Sequence, residues 1–152
     1  MNLKEKLSLS SLDRIEAFDI SHNQGNQVTA SCVSFTDSGP DKKNYRSMNI
    51  TLEKNDDYLA LSEAVRRRLK NLKENKKAFP DLLVIDGGKG QLNSVVNEMK
   101  KNDFGTLNII SISKGPQRNE KYDEIHLSKH PFKLNIADLK GSSKLIQLIR
   151  NE

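Results

Sequence analysis

The sequence predicts an α/β fold, a five-stranded mixed sheet with helices on both faces. Three observations carry this expectation. Three strand-like runs follow one another between short turn clusters, which implies an antiparallel meander. Beyond them, runs with apolar residues three or four apart alternate with compact apolar runs, the pattern of helices crossing between parallel strands. The 152 residues also suit one domain, long enough to bury an aliphatic core without metal or disulfide staples.

Residues 1–13 are polar and Ser-rich and read as a linker or leader, so the domain itself is expected over 14–152. Strands are expected over 14–21, 27–36 and 44–52, separated by turn clusters at 23–26 and 37–41. Asn55-Asp56-Asp57 then signals a helix start, and Tyr58, Leu61, Val65, Leu69 and Leu72 supply its apolar stripe. Pro80 precedes the apolar run Leu82-Leu83-Val84-Ile85, which reads as a buried strand ending in Asp86-Gly87-Gly88-Lys89-Gly90. A second amphipathic helix carries Leu92, Val95, Val96 and Met99 on one face, and 107–113 is another buried strand. Farther on, 125–127 and 132–134 are expected to pair as a hairpin, and 142–152 to form a last helix.

Lys and Arg outnumber Asp and Glu by 25 to 20, a net charge of +5 that suits a polyanionic partner. The lone cysteine, Cys32, excludes an internal disulfide and reads as a small buried hydrophobe. With no secretion signal evident and no apolar run approaching the roughly 20 residues that span a bilayer, the expectation is a cytoplasmic protein without a membrane partner.

Asp19 and Asp86 stand out because each follows an apolar run. A carboxylate buried in a core strand is costly unless paired or bound to a cation. In the expected sheet the first and fourth strands are adjacent and parallel, which brings the two carboxylates within about 6 Å, close enough to share a divalent ion or a metal pair. Like charges so placed repel, and a hard cation, Mg²⁺ or Mn²⁺, relieves them. Two such ions would activate water and stabilise the leaving oxygen of a phosphodiester. The competing reading is that Asp86 merely opens a turn and caps the following helix.

The three glycines at 87, 88 and 90 let backbone approach a ligand, and the helix they open offers free N–H groups to phosphate beside Lys89. The spacing excludes a Walker A loop. Residues 66–77 hold seven basic side chains against Glu74, including Arg66, Arg67 and Arg68, and no aromatic residue interleaves them. That density suits DNA-backbone contacts without sequence readout, weighed against an ordinary solvated face. His22, His126 and His130 share no metal-site spacing; His22, three residues beyond Asp19, is the one placed near the acids.

Together these motifs resemble those of the UvrC family, in its C-terminal RNase H-like nuclease domain. The resemblance runs from Arg14 to Glu152. It is carried by Phe18-Asp19-Ile20-Ser21-His22, Tyr45-Arg46, Asp56-Asp57-Tyr58, the arginine triplet 66–68, the long run from Pro80 to Leu92, Lys114-Gly115 and Ile149-Arg150-Asn151-Glu152. It implies an RNase H-like, Mg²⁺- or Mn²⁺-dependent endonuclease cutting DNA 5′ to a lesion in nucleotide excision repair, with UvrB as a partner through regions absent from this chain. Asp19 and Asp86 fall on the family's active-site aspartates, Asp57 on a third acidic position, and Lys114 joins the expected DNA contacts. The family's last motif continues past Glu152 to an active-site histidine. The resemblance therefore implies a C-terminally truncated domain, and the alternative is a catalytically impaired nucleic-acid-binding module of the same fold.

Overall fold

The computed structural model describes residues 13–22, 27–36, 38–51, 56–113 and 124–127. Strands β1 (Arg14–His22), β2 (Gln27–Thr36), β3 (Gly39–Pro40) and β4 (Arg46–Thr51) precede helix α1 (Asp57–Glu74). Then come β5 (Leu82–Asp86), helix α2 (Lys89–Lys100), β6 (Ile109–Ser113) and β7 (Glu124–Leu127). The sheet runs β3-β2-β1-β5-β6-β7, with β4 also on the outer side of β2. It is mixed, as expected: β1 is antiparallel to β2 and parallel to β5, and β6 continues parallel to β5.

The sheet has seven strands among the described residues where the sequence predicts five. One addition is Gly39–Pro40, expected inside a turn. Gly39 adopts φ +103°, which reverses the chain tightly enough for these two residues to pair with Phe35 and Thr36. The other is β7, expected as half of a separate hairpin. It pairs antiparallel with β6 instead, from Ile110 opposite Leu127 to Ser113 opposite Glu124, and so satisfies the backbone groups of that edge.

Alternation along each strand sorts the sheet into two faces. Phe18, Ala30, Cys32, Leu83 and Ile85 lie on one, in a single cluster with Leu61, Leu69 and Leu72 of α1 and Leu92, Val95 and Val96 of α2. Both described helices therefore pack on this face, not one on each. Ile15, Phe35, Leu82, Val84, Ile110 and Ile112 are buried by alternation on the other. The final helix expected over 142–152 lies outside the described residues, as do the strand over 132–134 and the leader segment through residue 12. No described helix is long and apolar enough to cross a membrane.

The helix face holds one buried ion pair. Glu16 of β1 is inaccessible, and Arg68 of α1 donates to both its oxygens at 2.8 Å, from Nε and Nη2. Arg14 Nε lies 3.4 Å from the same carboxylate. This corrects the expectation that Arg68 contacts DNA: it is 3% exposed. Its position follows from helical spacing, since residue 68 lies three beyond Val65 and seven beyond Leu61, both buried. Cys32 is buried as expected, and its thiol donates to Glu16 Oε1 at 3.5 Å. Burial, reinforced by the Glu16 charge, pushes that thiol up and keeps it protonated. Hydrogen bonding to Glu16 holds the Arg68 guanidinium charged against the cost of burial.

Removing one member of this pair strands the other charge in the core. Arg68→Met is expected to cost about 3–5 kcal/mol of stability, read from urea denaturation midpoints. Adding Glu16→Leu should recover much of the loss; a double variant no more stable than Arg68→Met would show that packing around the guanidinium, not the unpaired charge, sets the cost.

Candidate active site

The site is built where the parallel pairing of β1 with β5 ends. Their parallel register runs from Ile15 opposite Leu82 to Phe18 opposite Ile85, so the next residues, Asp19 and Asp86, stand abreast. Adjacent strands lie about 4.8 Å apart, and equal parity puts both carboxylates on one face of the sheet. Both residues are exposed, which corrects the expectation of buried carboxylates. Desolvation therefore does not force a cation on them. Asp19 Oδ1 also accepts the N–H of Ile20 at 2.8 Å, which limits its rotamers.

The loop after Asp86 explains its glycines. Gly87 donates to Ile112 O at 3.0 Å and adopts φ +156°, and a Cβ there would meet the Gln91 side chain at 2.9 Å. Gln91 Oε1 in turn accepts the Gly88 N–H at 3.1 Å, and Gly88 is the N-cap of α2. Asp86 is thus the last strand residue, at the entry to the turn, and Gly88 rather than Asp86 is the N-cap. Lys89, the first residue of α2, is exposed beside the free N–H groups of that terminus.

The N-terminus of α1 reaches the same rim. Asp56 caps it, accepting from the N–H groups of Tyr58 and Leu59. That leaves Asp57 free to turn outward, where its Oδ1 lies 2.8 Å from His22 Nε2 at the end of β1. Tyr58 crosses to α2: a Cβ on Gly90 would lie 2.3 Å from its hydroxyl. The ends of two strands and the starts of two helices therefore converge. Asp57 and His22 lie on the helix face, however, whereas Asp19 and Asp86 point to the other. Among the described residues no three His, Cys, Asp or Glu side chains converge as a metal-binding group. The two aspartates present a hard-oxygen pair whose chemistry fits Mg²⁺ or Mn²⁺.

The basic run is divided by its partners. Glu63 accepts from both Arg66 and Arg67. Burial alone would raise the Glu63 carboxyl, but these hydrogen bonds prevail and hold it below the usual range. Lys73 donates to Asp103 O at 2.6 Å, away from the rim. Lys114 lies outside the described residues.

A family model, the UvrC RNase H endonuclease domain, matches residues 4–152. The chain belongs to this UvrC domain family. It is 39% identical to the UvrABC system protein C of Nitrosococcus oceani, 39% to that of Haemophilus influenzae and 36% to that of Pseudomonas putida, each over 99% of this chain. It spans about a quarter of the length of these relatives, 25% in each. Among solved structures, the catalytic domain of human endonuclease V matches 75% of this chain and 50% of its own, with TM-score 0.56 and 15% identity. Endonuclease V of Ciona intestinalis, in complex with a DNA containing inosine, matches 70% of this chain and 48% of its own, at TM-score 0.51 and 16% identity. These likenesses are of fold, and the fold of this UvrC-family chain is RNase H-like.

The Asp57–His22 contact and the seat of Tyr58 on Gly90 have no signature in the sequence pattern. The glycine was a legible signal; which side chain it makes room for was not. Gly90→Ala is expected to push Tyr58 off α2 and cost about 1–3 kcal/mol. The cost should shrink in a Tyr58→Ala background, and equal costs in both backgrounds, measured as a double-mutant cycle, would break the proposed link between the two helix starts.

Proposed function

We propose that this chain is a metal-dependent endonuclease domain that makes the 5′ incision in damaged DNA during nucleotide excision repair. The observation that carries this reading is the parallel β1–β5 register ending at Phe18 opposite Ile85, which supports Asp19 and Asp86, the next residue of each strand, as a pair on one face. The names of the relatives, UvrABC system protein C, support a place in an excision system, with UvrB engaged through regions outside this chain. Asp19 and Asp86 would hold Mg²⁺ or Mn²⁺, which when bound supplies the Lewis acidity for water activation and leaving-group stabilisation.

The chain's own residues do the rest. Lys89 and the N–H groups opening α2 bind a DNA phosphate beside the carboxylates, and Gly87 and Gly88 keep that approach clear. Asp57, oriented by His22, is the third acid of the rim. Arg66, Arg67 and Lys114 add backbone contacts without base readout.

Nicking of supercoiled DNA with Mn²⁺ tests the assignment. Asp19→Asn and Asp86→Asn should each slow it at least about a hundredfold, the size of effect that losing several kcal/mol of charge stabilisation produces. A chelator should abolish cutting and added Mn²⁺ restore it. Cutting that survives both substitutions would remove the pair from the chemistry.

A further inference from the structure

We propose that Arg46 and Arg67 form a preorganised clamp for a DNA phosphate, in a groove between the edge strand β4 and helix α1. The proposal deepens the nucleic-acid reading above and rests on it. Arg46, Ser47 and Met48 of β4 line this groove of about 230 Å³ on one side, with Arg67, Arg68 and Asn71 of α1 on the other. Register explains the meeting. Arg46 stands opposite Cys32, which faces α1, so its side chain rises from the sheet edge toward the helix.

Both walls are basic and both are fixed. Arg46 Nη1 donates to the carbonyls of Lys43 and Tyr45, at 3.0 and 2.9 Å. Arg67 Nε donates to Glu63 at 3.0 Å, and its Nη1 reaches across to Asn49 O of β4 at 3.2 Å. Each guanidinium is thus held by part of its fork, and its other N–H groups have no partner among the described residues. Holding the side chains in advance lowers the ordering cost of binding an anion. Arg68 beneath them is neutralised by Glu16, so the cations the groove offers are Arg46 and Arg67, the latter sharing Glu63 with Arg66.

A phosphodiester fits better than a carboxylate peptide because of what surrounds the groove. Lys42 and Lys43 precede β4 and Lys70 follows on α1, all exposed, so the positive charge continues along the edge as a backbone path requires. Arg46 is also level with Phe18, one residue short of Asp19, and β4 lies two strand spacings from β1, roughly 10 Å. Arg46 shares the helix face with Phe18, whereas Asp19 points to the other, so the clamp would hold a backbone on the helix side of the sheet, about three nucleotides' length from β1.

The test is fluorescence anisotropy of a short labelled DNA duplex with the 152-residue chain across a salt series, with melting curves to confirm that each variant folds. Arg46→Ala with Arg67→Ala should weaken binding roughly tenfold or more and flatten the log–log salt slope by about two units. Arg46→Lys with Arg67→Lys should keep the slope but still lose affinity, because lysine lacks the planar fork. Lys76→Ala with Lys77→Ala removes equal charge from just beyond the C-terminal end of α1 and should cost less. If DNA binds and the arginine and lysine pairs weaken it equally, or the arginine pair leaves it unchanged, the clamp is overturned while the nucleic-acid reading stands. Failure of the unsubstituted chain to bind DNA at low salt would overturn both.

Discussion

Everything at the candidate site depends on the parallel pairing of β1 with β5. Two strands joined in parallel carry their C-terminal ends to the same rim, and the register sets Asp19 beside Asp86 there. A slip of one residue would turn one carboxylate to the opposite face and break the pair. That register is held by burial on both faces: Ile15 and Leu82 on one, Phe18 and Ile85 on the other, each at most 1% exposed. The aliphatic core is thus what sets the distance between two charged groups that lie outside it.

The helices are aligned to the same rim by a different force. Glu16 and Arg68 join the middle of α1 to β1 through a bidentate pair, and a charge in that setting tolerates few alternative positions. With α1 fixed at this point, its N-terminus comes to the end of β1, where Asp57 meets His22. Tyr58 then ties the start of α1 to that of α2 across Gly90. The N-cap of α2 follows Asp86 by two residues and carries no side-chain cap, so a surface carrying carboxylates still has donors for an anion.

Charge on α1 serves several ends that its composition alone does not separate. Arg68 is structural, Arg66 and Arg67 share Glu63, and Lys73 braces the loop at Asp103 while lying 6.0 Å from the Phe104 ring centre. The exposed surface is therefore less basic than seven cations in twelve residues suggest.

Periodicity alone made the element order legible: the meander, both helices and the buried strands 82–86 and 109–113 all stand out as patterns of apolar residues, because burial selects them locally. The two aspartates were legible for the same reason, as charges closing apolar runs. Tertiary structure decided the rest. Gly39–Pro40 became a strand only because β2 offered it an edge, and β7 joined the sheet because β6 did. Arg68 looked like its neighbours in sequence, and only a glutamate 52 residues away, opposite it across the core, made it a buried partner. Asp57 and His22, Tyr58 and Gly90, and Arg46 and Arg67 are likewise pairs drawn from distant segments. No local pattern encodes them, since each depends on how a helix docks on a sheet, and docking is settled by the whole core at once.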